Sequence, residues 1–137
     1  MLLSKLTIFD DEIRLRRSVA RRYTECLTEN LGDRVEAIKA PIEMPGSNSI
    51  WAQYTIKLAE GRRDDIAAAL KARGIPSQIY YPLPMHLQPA YLSYGGGPGS
   101  LPVSEQLSKQ VLALPMHPYL DDAAIDMICD TLIDAIP

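Results

Sequence analysis

Apolar positions recur along this chain with two periods, and each change of period marks a new element. Over residues 2–31, Leu2, Leu6, Phe9, Ile13, Ala20, Tyr23 and Leu27 return at helical spacing, which predicts one long helix stopped by Gly32. Residues 35–38, Val-Glu-Ala-Ile, read as a short strand before Pro41. Over residues 50–58 the period drops to two. Ile50, Ala52, Tyr54, Ile56 and Leu58 share one face, and Trp51, Gln53, Thr55 and Lys57 the other, as in a strand with one buried side. Residues 62–73 return to helical spacing, with Asp64 and Asp65 in the first turn, Ile66 and Leu70 inward and Gly74 as cap. A strand is predicted at 78–81. Ser100 then N-caps a helix with Pro102 in its first turn and Val103 and Leu107 inward. Val111 to Leu114 form a strand stopped by Pro115. A last helix, from near Asp121, buries Ile125, Ile128, Cys129, Leu132 and Ile136.

This order predicts an α/β (α+β) fold, a small sheet covered by helices. No repeat or linker divides it, so residues 1–137 are read as a single domain, with a long helix at 1–32 and a small αβ unit at 33–137. A chain that opens on a long helix implies that the helix lies across something else. Composition narrows the partners. The net charge is −3, and no basic block is interleaved with aromatics, which argues against nucleic acid. Arg14, Arg16, Arg17, Arg21 and Arg22 are spaced to line the wet side of the first helix. No apolar run approaches the roughly 18 residues of a membrane span, and the start lacks a signal-peptide pattern, so a cytoplasmic location is expected. Cys26 and Cys129 each sit in a helical pattern and read as reduced, buried thiols, a disulfide being the alternative.

Candidate chemistry concentrates in Tyr80-Tyr81-Pro82-Leu83-Pro84-Met85-His86-Leu87-Gln88-Pro89-Ala90-Tyr91. Three prolines fix this backbone outside helix and inner strand, so it can hold a histidine and several phenols toward a polar ligand. His86 reads either as a ligand contact or as a structural histidine. His117, in Pro115-Met116-His117-Pro118, reads as the cap of a turn. Both follow predicted strands, and if those strands are neighbours the two imidazoles lie near one sheet edge. No Cys or carboxylate stands at ligand spacing from them, so no metal is expected. Asp122, Asp126, Asp130 and Asp134 form an i, i+4 ladder on the wet face of the last helix, without the loop a calcium cage needs. Gly95-Gly96-Gly97-Pro98-Gly99 lacks the ending of a phosphate loop and reads as a surface turn. Of Lys5, Lys39, Lys57, Lys71 and Lys109, none stands in surroundings that would make it nucleophilic, so no catalytic residue is assigned.

Two blocks resemble the DegT/StrS family of pyridoxal-phosphate aminotransferases, which act on keto sugars attached to nucleotides. One is Ala52-Gln53-Tyr54-Thr55-Ile56 with Gly74-Ile75-Pro76. The other runs from Tyr80 through His86-Leu87-Gln88-Pro89-Ala90-Tyr91 to Leu112-Ala113-Leu114-Pro115-Met116-His117-Pro118-Tyr119-Leu120. The opening Leu2-Leu3-Ser4-Lys5-Leu6 is similar to the family's connecting helix, and the flavour is that of members that aminate a UDP-3-keto-glucuronic acid. The resemblance implies the C-terminal small domain of a fold-type-I aminotransferase, the larger cofactor-binding domain being absent. It implies pyridoxal 5'-phosphate in the parent enzyme and none bound by this chain alone. Glutamate and a nucleotide sugar are the implied substrates, polysaccharide biosynthesis the implied setting and a homodimer the implied assembly. It also implies Tyr81, His86 and Tyr91 as substrate contacts, and no transaminase activity in this chain alone. The competing readings are a free-standing αβ ligand-binding or self-associating module, and a metal hydrolase using both histidines, which fails on ligand count.

Overall fold

One five-residue strand organises the fold. The computed structural model describes residues 2–34 and 36–136, with the side chains of Leu2 and Asp33 left aside. Strand β2 (Tyr54–Leu58) is the middle of a three-stranded antiparallel sheet, between β1 (Ile38–Lys39) and β3 (Val111–Leu114). The register sets Ile38 opposite Leu58, Leu112 opposite Ile56 and Leu114 opposite Tyr54. Directly opposed residues share a face, and all of these are buried. The other face receives Thr55 opposite Ala113, and Lys57 opposite both Lys39 and Val111.

Helices cover the apolar face. Helix α1 (Leu2–Leu6) precedes α2 (Phe9–Leu31), which packs on α5 (Asp122–Asp134); α5 packs on α3 (Arg63–Ala72), and α3 on β3. The inward positions follow helical spacing: Val19, Ala20, Tyr23, Cys26 and Leu27 from α2, Ile66 and Leu70 from α3, Ile125, Ile128, Cys129 and Leu132 from α5. The two cysteines are buried and free, as read from the sequence. Tyr23 stacks on Tyr54 with ring centroids 4.9 Å apart. Both hydroxyls are satisfied. Tyr23 donates to the Pro115 carbonyl at 3.0 Å. The Thr24 hydroxyl proton goes to the Ala20 carbonyl, so Tyr54 donates to Thr24 Oγ1 at 2.8 Å. Burial pushes the Tyr54 phenol up to about 12 and raises that of Tyr23 as well.

The helix ends are closed by local chemistry. Asp121 N-caps α5 by accepting from the Ala124 amide at 2.8 Å. Gly74 follows α3 with φ +72°; the Ile75 amide reaches back to Leu70 and the Gly74 amide to Lys71, which satisfies the last carbonyls. The α5 carboxylates do lie on a wet face, where Asp126 pairs with Arg22 and Asp134 with Arg73.

The structure departs from the periodicity in several places. The predicted first helix is two helices, broken at Thr7 and Ile8. The Thr7 hydroxyl donates to the Ser4 carbonyl at 2.8 Å, and two adjacent β-branched residues favour the break. Leu6 and Phe9 are exposed, so the apolar seam is buried only from Val19 onward. Strand β2 begins at Tyr54, not at residue 50, because Trp51 takes φ +49° and reverses the alternation. Trp51 therefore packs toward the core, its ring 5.7 Å from that of Tyr54, while Ile50 is exposed. Strand β1 lies two residues past the middle of its predicted span, and Val35 falls outside the described residues. The predicted strand at 78–81 shrinks to one antiparallel bridge between Gln78 and Ala113, with Pro76 and Pro82 close on either side. Helix α4 (Pro102–Leu107) forms, but Ser100 does not cap it; its hydroxyl donates to the Gly97 carbonyl. Val103 is 68% exposed and Leu107 36%, so neither points inward.

Candidate functional site

The sheet face that the helices leave open becomes the floor of a groove of about 560 Å³. Thr55 and Val111 rise from that floor. Tyr80, Tyr81, Met85 and His86 of the proline segment form one wall, and Leu101, Ser104, Leu107 and Ser108 the other. This explains the outward turn of Leu107: it walls the groove. Mostly apolar walls bearing a few hydroxyls and one imidazole suit a small ligand that a few polar groups orient.

His86 sits in a tight 3₁₀ turn (Met85–Leu87) set by Pro84. Its side chain is 8% exposed, and Nε2 lies 3.0 Å from Oε1 of Glu105 in the first turns of α4. The same carboxylate accepts from the Gly99 amide at 2.8 and 3.0 Å and from the Leu101 amide at 3.4 Å. The bond from His86, followed by those backbone donors, holds the Glu105 carboxyl below the usual carboxylate range against the opposing effect of desolvation. The glycine segment closes the cage. A Cβ on Gly95 would lie 3.0 Å from both Cβ and the carbonyl oxygen of His86, so a larger residue here would crowd that backbone.

Tyr81 and His86 thus line one groove. Tyr91, in the following 3₁₀ turn (Pro89–Tyr91), is exposed and does not line it. The two histidines do not share a sheet edge. Antiparallel pairing at Gln78 sends the chain toward the Val111 end of β3, whereas His117 follows the Leu114 end. His117 Nδ1 accepts the Tyr119 amide at 3.2 Å and so caps a turn. The Tyr119 hydroxyl donates to Glu12 at 3.1 Å, and Lys5 donates to the same carboxylate, which ties α1 to the turn after β3.

Glu105 is the residue that periodicity missed. Its signal was a carboxylate one turn into a helix that follows a glycine run, placed to reach back to unpaired amides. Thr55, Ser104 and Ser108 were missed for another reason: a groove on the polar face of a sheet leaves no apolar repeat.

A second groove, of about 670 Å³, runs between α2 and the segment around Pro41 and Trp51. Arg14, Arg17 and Arg21 line it, but each has a partner: Asp11, Asn48 at 3.0 Å and Glu25 at 3.8 Å. Arg16 reaches the Trp51 carbonyl at 3.3 Å and Arg17 reaches Asn48 and Glu43, so the arginine row anchors the segment from residue 43 to 51 as well as facing water. Among the described residues no cluster of three His, Cys, Asp or Glu could hold a metal ion. No described helix is long and apolar enough to cross a membrane. Lys5 and Lys39 are ion-paired with Glu12 and Glu36, and Lys57, Lys71 and Lys109 are exposed, so no lysine has the desolvated setting of a carbonyl-trapping amine.

Comparison with known proteins gives a consistent result. Residues 1–133 match the DegT/DnrJ/EryC1/StrS aminotransferase family. The chain is 39% identical over 132 residues to the UDP-2-acetamido-2-deoxy-3-oxo-D-glucuronate aminotransferase of Pseudomonas aeruginosa, covering 96% of this chain and 34% of that protein. Among solved structures, an aminotransferase of this family from Brucella abortus superposes with TM-score 0.82 at 47% identity over 96% of this chain and 33% of its own. DesV of S. venezuelae superposes with TM-score 0.89 at 31% identity, over 99% and 35%. The chain therefore spans about a third of the length of the relatives it matches.

Proposed function

This chain belongs to the DegT/DnrJ/EryC1/StrS aminotransferase family, and from that premise we propose that it is the small C-terminal domain of a sugar-nucleotide aminotransferase. In this reading residues 1–32 are the connecting segment and residues 33–137 the domain proper. The whole enzyme moves an amino group from glutamate to the ketone of a nucleotide sugar, and releases 2-oxoglutarate. A UDP-linked 3-keto-glucuronic acid derivative is the substrate that the Pseudomonas aeruginosa relative suggests. A cytoplasmic homodimer serving polysaccharide synthesis completes the reading. The observation that carries it is a match along nearly the whole chain to proteins three times its length.

Pyridoxal phosphate supplies the amino-group chemistry in such enzymes. The residues here do not fit a site for it, since every lysine is paired or exposed on the surface. The cofactor belongs to the remainder of the enzyme, and this chain contributes binding and orientation. Tyr81 offers a phenol and His86 an imidazole to the sugar in the groove, and Tyr91, which does not line the groove, has no part in this reading. Apolar neighbours such as Leu101 and Leu107 exclude water from the sugar's faces.

The test is to assay the full-length enzyme and this chain in parallel with glutamate and the keto sugar nucleotide. The full-length enzyme is expected to release 2-oxoglutarate and the isolated chain none. Borohydride reduction with pyridoxal phosphate is expected to label this chain only in scattered, substoichiometric fashion. Turnover by the isolated chain, or stoichiometric labelling at one of its lysines, would overturn the assignment.

A further inference from the structure

We propose that Glu105 is a positioning residue: its carboxylate holds the His86 ring with the proton on Nε2 and locks the proline segment, the glycine segment and the start of α4 into one rigid rim of the groove. As far as the groove's ligand is concerned, this rests on the reading that it takes a sugar. The geometry is independent of that reading.

The argument begins with the donors around one carboxylate. An ionised glutamate only accepts hydrogen bonds. Facing Glu105, His86 must therefore donate from Nε2, and in the neutral ring the lone pair is then on Nδ1. Glu105 also collects the Gly99 and Leu101 amides, two donors that a short helix following glycines leaves without backbone partners. Three stretches of chain that share no regular secondary structure thus meet at one side chain. Gly95 packs against the base of His86, where even a methyl group would press on its Cβ and carbonyl oxygen. The ring is thereby 8% exposed and tied through Nε2 to a carboxylate that two backbone amides hold in place. Its single free function is to accept at Nδ1, which matches a sugar hydroxyl as donor and not a phosphate. A plain helix cap would explain the two amide bonds but not the bond to His86, 19 residues away in sequence.

His86 and His117 are the only histidines, so imidazole nitrogens can be assigned without ambiguity by long-range ¹H–¹⁵N NMR of the labelled chain at pH 8. His86 is expected to show a protonated Nε2 and a bare Nδ1. Glu105→Gln keeps an acceptor oxygen and should preserve that pattern. Glu105→Ala should draw the two His86 nitrogen shifts together, toward a tautomer mixture, while His117 stays unchanged. A His86 protonated on Nδ1 in the unsubstituted chain would overturn the proposal, and this measurement requires no variant to fold. Unchanged His86 nitrogens in a folded Glu105→Ala variant would overturn it too. In the full-length enzyme, Glu105→Ala is expected to raise KM for the sugar nucleotide about tenfold without changing KM for glutamate, and Glu105→Gln to restore most of the loss. A tautomer change with an unaltered KM supports the positioning role and overturns the placement of the sugar in this groove.

Discussion

Alkali is expected to unfold this protein through three buried acids, and the size of the effect follows from the core. Tyr23, Tyr54 and Cys129 are each 0% exposed. Burial lifts the Tyr54 phenol to about 12 and raises Tyr23 and Cys129 as well, Cys129 with a further contribution from neighbouring Cys26. In the unfolded chain a thiol ionises near pH ~8.5 and a phenol near ~10. Above those values the unfolded state has released protons that the folded state still holds, so stability falls as pH rises; below them it is fully present. The slope is about 1.4 kcal/mol per pH unit for each group. By about pH 11 the thiol removes about 3 kcal/mol and the two phenols together about 3 more. That loss rivals the total stability of an ordinary domain, about 5–15 kcal/mol. Urea midpoints followed by circular dichroism should therefore begin to fall near pH ~9 and steepen past ~10. Absorbance at 295 nm should show two phenolates appearing only as the helical signal is lost. Cys129→Ala should remove the early part of the decline, and the double change Tyr23→Phe, Tyr54→Phe the later part. A urea midpoint constant from pH 7 to beyond 10, or full phenol ionisation with the helical signal intact, would refute the reasoning.

Three further outcomes follow from single positions. Ile56→Ala empties a fully buried site on β2 and should cost about 2–5 kcal/mol in thermal unfolding, whereas Thr55→Ala, one residue away on the groove face, should cost about 1 kcal/mol or less. Gly74→Ala places a Cβ at φ +72° and should destabilise by about 1 kcal/mol, read as a lower urea midpoint with unchanged m-value. Arg22→Ala breaks the pair with Asp126, but both side chains are substantially exposed, so the melting temperature should move by about 2 °C at most.

The parts of the fold that could be read from the sequence are those where periodicity and burial coincide. Helix α5 buries Ile125, Ile128, Cys129 and Leu132 as named, Ile136 is buried just past its end, and Ile66 and Leu70 anchor α3 as their spacing implies. Strand β3 occupies the predicted residues. Periodicity fails where one residue changes the backbone's hand or course. The positive φ of Trp51 cannot be seen in an alternating pattern that continues through it. The bond from Thr7 to Ser4 breaks a helix whose apolar spacing runs on unbroken. The proline segment was recognisable as rigid, and its rigidity does bring Tyr81 and His86 to one groove. That Tyr91 lies off this groove, and that Glu105 holds His86, depends on how two irregular segments fold over each other. Neither has a repeat that would reveal it.

Stability and site are divided between alternate residues of one strand. Tyr54, Ile56 and Leu58 hold the register by burying themselves, and a slip of one residue would carry Lys57 into the core. The same register lifts Thr55 and Val111 to the opposite face as the floor of the groove. The rim needs no apolar core of its own. Prolines fix one side, a carboxylate gathers the loose amides, and the glycine at position 95 lets two backbones touch. Substitutions in the rim should therefore alter the ring orientation of His86 and ligand affinity before they alter unfolding. A fold built this way keeps the groove precise without loading it with stabilising contacts, which leaves the open sheet face free for a ligand.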